Sequence, residues 1–186
     1  MVEAITFQTI FQFLQTVSIM VGIAYYLMIL QNQQKSQQTA LETRQAQLLS
    51  QLSLNFNTVD TLTTYMTVLN WDWEDYDDFE TKYGSDVSPK LFAMKSFLWN
   101  QYNTVGKLVH EGLLNLEIVY PFIGEAALWQ WAKWKDIIAE QRRRYYTDDY
   151  MSDWEYLVDE LMKKKRNLGY TWQVPEDLGR YQPSNR

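Results

Sequence analysis

The chain has 186 residues, no cysteine and a formal charge of -6. That length accommodates one helical domain plus an anchor, the missing thiols exclude a disulfide framework and thiolate chemistry, and the acidic balance argues against nucleic acid, whose binders neutralise phosphates with Lys and Arg. With only 7 glycines and 4 prolines, the composition favours long helices over turn-rich sheets, so the expected fold class is all-α.

The first expected element is a membrane helix. No charged residue lies between Glu3 and Lys35, and the apolar run Ile10 to Leu30 matches the length needed to cross a hydrocarbon core about 30 Å thick. A cleaved signal would need a positive start and a small-residue cleavage site, whereas Glu3 precedes the run and QNQQK closes it, so the helix is expected to stay attached. Lys35 and Arg44 follow the span, which by the positive-inside rule puts residues 35–186 in the cytoplasm and the N-terminus outside. One face of the span is polar or small: Gln8, Gln12, Gln15, Ser18, Gly22 and Tyr26 recur at steps of three or four. Such a stripe suits contact with another transmembrane helix, through amide hydrogen bonds and close backbone approach. Placement of the outer glutamines among lipid headgroups fits the same pattern.

From Gln31 to Asn70 there is neither Pro nor Gly, and the helix is expected to run on as an amphipathic stalk over residues 35–70. Leu41, Gln45, Leu48, Leu52, Asn55, Val59, Leu62, Met66 and Leu69 follow alternating steps of four and three, the spacing of a coiled-coil seam in which Gln45 and Asn55 would set register. A helix packed on the chain's own later helices gives the same spacing. In residues 71–86 carboxylates alternate with aromatics. The calcium-loop spacing is not met, so this segment reads as a solvated helix with Trp73, Tyr76 and Phe79 inward.

Ser88-Pro89 starts the next expected helix and Gly112 ends it, with Leu91, Met94, Leu98, Tyr102, Val105, Leu108 and Val109 on its apolar face. A short helical piece ending near Pro121 leads to a third long helix carrying Ala127, Leu128, Trp131, Trp134, Ile137, Ile138 and Gln141. A fourth runs from Ser152, its expected N-cap, to Asn167, acidic at its start and basic at its end as the helix dipole favours. The expected layout is therefore residues 1–34 with the span, 35–70 as stalk, 71–169 as helical soluble domain and 170–186 as an irregular tail.

Three stretches carry a resemblance: LETRQAQLL from Leu41 to Leu49; V-G-x-L-V-x-E-G-L-L from Val105 to Leu114, with Asn100 and Asn103 just ahead of it; and W-x-x-I-I-x-x-x-R from Trp134 to Arg142. Together with the single N-terminal span, they resemble a family of uncharacterised archaeal and bacterial single-span membrane proteins classed as a domain of unknown function. The resemblance covers most of residues 10–165 and implies this architecture, with no activity attached.

Chemistry-bearing motifs are scarce. His110 is the only histidine, and a lone histidine near a helix end is expected to cap or pack; no Walker loop, dinucleotide fingerprint or nucleophile elbow occurs. No metal, cofactor or catalytic residue is expected. Arg142 to Arg144 and Lys163 to Arg166 suit helix C-termini, with anionic lipid as the other account. Trp129, Trp131 and Trp134 with Lys133 and Lys135 fit either an interfacial belt or a core. The expected function is a membrane-anchored structural or interaction protein, a homo-oligomer or accessory subunit of a larger membrane complex; a tethered binding or sensor module and an oligomeric channel are the alternatives. The expected partners are membrane lipid and other transmembrane helices.

Overall fold

In the computed structural model the described residues are 7–145 and 147–172. Glu3 at one end, and Pro175, Gly179 and Pro183 of the expected tail at the other, lie outside them. Every element is helical: α1 Phe7–Phe56, α2 Val59–Leu69, α3 Tyr76–Tyr83, α4 Pro89–His110, α5 Leu116–Tyr145 and α6 Ser152–Asn167. The chain divides into two units between Ala46 and Gln47. The last turns of α1 and all of α2 belong to the second unit.

The expected unbroken stalk is corrected at residues 57–58, where the helix stops without glycine or proline. Thr58, in an extended conformation, caps α2 by accepting the Thr61 N–H at 3.0 Å. Its hydroxyl donates to Thr61 Oγ1, which in turn donates to the Asn55 carbonyl at 2.7 Å. Thr side chains that satisfy backbone groups outside a helix compete with helical hydrogen bonding, and here Thr58 and Thr61 win. The break changes the phase of the seam. Within the chain, Leu52 and Phe56 pack inward while Val59, Leu62 and Met66 stay open, 79, 52 and 54% exposed, and Val68 turns inward.

Within residues 71–86 only Tyr76–Tyr83 is helical. Asp75 caps it by accepting the Asp78 N–H, and Asp78 accepts the Glu74 N–H in return, a reciprocal cap of the kind that fixes helix entry. Trp73, Tyr76 and Phe79 are buried as the pattern implies, and Trp71 joins them.

α4 begins at Pro89 as expected, although the Ser88 hydroxyl makes no capping bond. Its end is closed by Gly112 at φ +68°, with the Leu113 N–H donating to the Leu108 carbonyl, a left-handed C-terminal turn that favours glycine. The expected break near Pro121 is absent: α5 runs through it. Asn115 starts α5 by accepting the Glu117 N–H at 2.8 Å. Pro121 sits one turn further in, where its missing N–H costs a single bond in a helix secured by apolar packing on both sides. α6 also differs at its start: Met151, not Ser152, occupies the cap position, left-handed at φ 60° and with no capping side chain.

That unfilled cap is supplied from another helix. Asn103 of α4 accepts the Trp154 N–H through Oδ1 at 3.1 Å. One turn on, a Cβ on Gly106 would stand 2.0 Å from the Asp153 carbonyl oxygen, so α4 and α6 cross there with backbone against backbone. A further turn on, His110 bonds the Asp153 carboxylate at 3.0 Å and stacks on Tyr156. The residues of the Val105-to-Leu114 stretch are thus the seat of α6. We expect Asn103→Ala to cost about 1 kcal/mol, the usual loss of an N-cap. The change would be read in urea unfolding by tryptophan fluorescence, since all 8 tryptophans lie beyond residue 70; an unmoved midpoint would mean the cap is idle.

The core of the second unit is aromatic. Trp134 is stacked on Trp73 at 4.6 Å and meets Trp99 edge-on at 5.3 Å, while Tyr102 stacks on Trp154 at 5.0 Å. Each such pair adds about 0.5–1.5 kcal/mol beyond the area it buries.

Candidate functional site

One helix among the described residues is long and apolar enough to cross a membrane, and none of its apolar window is buried by the rest of the chain. The large side chains from Phe7 to Met28 are exposed, Phe13, Val21 and Tyr25 each by more than three-fifths. Gln8, Gln12, Gln15, Ser18, Gly22 and Tyr26 all lie in this stretch of α1 and share one side of it. Ser18 is already satisfied, donating to the Leu14 carbonyl at 2.8 Å. The Gln12 and Gln15 amides have no hydrogen-bond partner among the described residues. Gly22 has no other heavy atom within 4 Å of where a Cβ would stand, so its side of the helix is open for another backbone to approach.

In the second unit, a cavity of about 300 Å³ opens between α2, α4 and α5. Phe56, Tyr65, Tyr102, Phe122 and Trp129 give it an aromatic wall, and Glu125 stands at its edge. Burial pushes the Tyr65 hydroxyl up and drives the Tyr102 hydroxyl up further. Both therefore stay protonated at physiological pH.

Two buried lysines were not apparent from the helical patterns as special positions. Lys133 reaches back from α5 to donate to the Leu69 and Trp71 carbonyls, both at 2.6 Å, and lies over the Trp73 ring at 4.8 Å. It closes the C-terminal end of α2, where a cation is favoured. Burial lowers it to about 7. Lys95 on α4 is fully buried and its ammonium has no hydrogen-bond partner. It lies 4.3 Å from the Phe92 ring centre and 4.4 Å from that of Trp99. Burial lowers it to about 8, against a weaker opposing pull from Glu80. Lys95 follows Leu91 by one helical step of four and precedes Trp99 by another, so a charged residue on the apolar face was the signal.

The basic runs are engaged within the chain. Arg142 donates to the Tyr150 carbonyl and pairs with Glu155 at 2.7 Å. Glu140, gripped by Arg143 and Arg144, is held down at about 2, and Arg144 also pairs with Asp77. Lys164 pairs with Glu117 and Lys165 with Glu125. These contacts tie the ends of α5 and α6 to neighbouring elements. Trp134 is fully buried, Trp131 packs against Trp154, and Trp129 faces the cavity, so these tryptophans form no exposed belt. Among the described residues no group of three or more His, Asp or Glu is placed to hold a metal ion.

No curated protein and no solved structure matches the chain. A family model does, over residues 13–161, which takes in the apolar helix, the α4–α6 crossing and the Trp134-to-Arg142 stretch. With most of its length matched, the chain belongs to the family described as Domain of unknown function (DUF4760).

Proposed function

We propose that this is a membrane-anchored helical interaction protein, one that assembles through its N-terminal helix as a homo-oligomer or as an accessory subunit of a larger membrane complex, and that it is not an enzyme. The observation that carries this reading is α1 itself: more than five turns of exposed apolar surface need lipid, and the Gln12 and Gln15 amides along one side need hydrogen-bond partners that lipid tails cannot supply. Open space beside Gly22 supports a close helix crossing on that same side. In this reading the N-terminus is outside and residues 35–186 are cytoplasmic, as Lys35 and Arg44 direct.

The protein is expected to stay in the membrane pellet through an alkaline carbonate wash, and protease added to intact cells should leave residues 35–186 uncut. Release by carbonate would remove the anchor, and digestion from outside would reverse the orientation. Cysteines at Gln12, Gln15 and Gly22 should cross-link more readily than cysteines at Phe11, Phe13 or Leu27. Interhelical amide bonds in membranes contribute about 0.6–2 kcal/mol each, so Gln15→Leu should loosen the assembly and Gly22→Leu, which separates two backbones, should loosen it more. Equal, poor cross-linking together with a single-chain particle mass would end the association reading.

A further inference from the structure

We infer that the cavity between α2, α4 and α5 is a binding site for a small, neutral, mainly apolar molecule that carries one hydrogen-bond acceptor, held by the hydroxyl of Tyr102. The inference is independent of how α1 associates. A volume of about 300 Å³ is at the lower end for small-molecule sites, which begin at about that size. It holds a compact aromatic or short acyl compound.

Tyr102 gives the site its polar feature. The residue is 1% exposed, lines the cavity, and its hydroxyl has no hydrogen-bond partner among the described residues. Its ring is held in place, stacked on Trp154 at 5.0 Å and packed on Phe56 at 5.7 Å. Tyr65, Thr61 and Asn57 are the other neutral polar residues of a lining that is mostly apolar. The hydroxyl is not one of the sealed, unpaired polar atoms of the core, so it stays accessible and free to donate to a ligand acceptor.

The charge of the ligand follows from the lining. Lys, Arg and His are absent from the cavity wall, and the one charged residue there, Glu125, is already paired with Lys165. A carboxylate or phosphate would meet a like charge and no counter-ion. An organic cation would have to displace Lys165 from Glu125. A neutral ketone, amide or ester meets neither obstacle, and Phe56, Phe122 and Trp129 supply flat apolar contact.

The test uses the full chain in lipid nanodiscs, with empty nanodiscs as reference, and follows probe binding by fluorine NMR. The probes are para-fluoroacetophenone, fluorobenzene, para-fluorobenzoate and para-fluorobenzylammonium. The ketone is expected to bind saturably above the empty-disc background and more tightly than the other three. Tyr102→Phe should weaken the ketone about fivefold, the range of one neutral hydrogen bond, and leave fluorobenzene unchanged. Ala126→Trp, which fills the cavity, should abolish both. The proposal is overturned by ketone binding no stronger than the empty-disc background, by tighter binding of the benzoate or the ammonium, or by binding that survives Ala126→Trp. Equal binding of the ketone and fluorobenzene to the wild-type protein would overturn the role of the hydroxyl with no variant needed.

Discussion

Replacing Gly106 by alanine is expected to be the most damaging small change in this protein. The added carbon would stand 2.0 Å from the Asp153 carbonyl oxygen and 2.5 Å from its carbon, and both belong to backbone that cannot rotate aside as a side chain does. α4 and α6 must separate, which strains the Asn103 cap and the stack of Tyr102 on Trp154. Overpacking of this kind costs about 3 kcal/mol, which for a chain of this length lowers Tm by about 6–12 °C. Thermal unfolding followed by tryptophan fluorescence reads the bundle alone. Gly22→Ala is the matched control: with open space around it, it should leave the same transition in place. Equal transitions for Gly106→Ala and wild type would refute the backbone crossing.

The two buried lysines should respond in opposite directions to the same substitution. Lys95 has aromatic rings around it and no hydrogen-bond partner, so Lys95→Met removes a desolvated charge and keeps the volume. At pH 7 a gain of about 1–2 kcal/mol is expected, the desolvation penalty less the attraction of the rings. The sign with pH follows from a folded value of about 8 against an ordinary 10.5. Below pH 8 the lysine is charged in both states and folding carries the full penalty. Between pH 8 and 10.5 the unfolded chain still holds a proton that the folded chain has released, so wild-type stability rises with pH and the advantage of Lys95→Met shrinks. Lys133 is also lowered, but its ammonium satisfies two carbonyls. Lys133→Met leaves those oxygens without that donor and should cost about 2 kcal/mol at pH 6. Urea unfolding of both variants at pH 6, 7 and 9.5 checks the pair. If Lys95→Met is the less stable protein at pH 7, the rings stabilise the cation more than burial opposes it.

The four long helices were legible because each carries a regular apolar stripe, and two of their ends, Pro89 and Gly112, use residues whose backbone limits are intrinsic. The break at Asn57-Thr58 was not, since it depends on Thr61 reaching the Asn55 carbonyl, a bond that needs the turn to have formed already. Pro121 misled for the opposite reason: a strong local signal was outweighed by buried neighbours such as Val119 and Ile123 on either side. At the start of α6 the capping group comes from Asn103, some fifty residues earlier, where no local pattern can point to it. The polar stripe of α1 was readable from spacing alone. The cavity was not, because Phe56, Tyr65, Tyr102 and Trp129 come from four different helices and their convergence exists only in the fold.

The seat of α6 on α4 also bears on when the protein can fold during synthesis. Asn103, Gly106 and His110 are made early, but Asp153, Trp154 and Tyr156 emerge only after the whole of α5 has been added. Until then Tyr102 lacks Trp154 to stack on and Trp99 lacks one of its neighbours, leaving aromatic surface uncovered on a chain still attached to the ribosome. Contacts that span this much sequence slow folding and prolong that exposure. Docking of α6, the last helix among the described residues, therefore completes this core, and nascent chains that stop within α5 are the ones for which holding chaperones would have the most to cover.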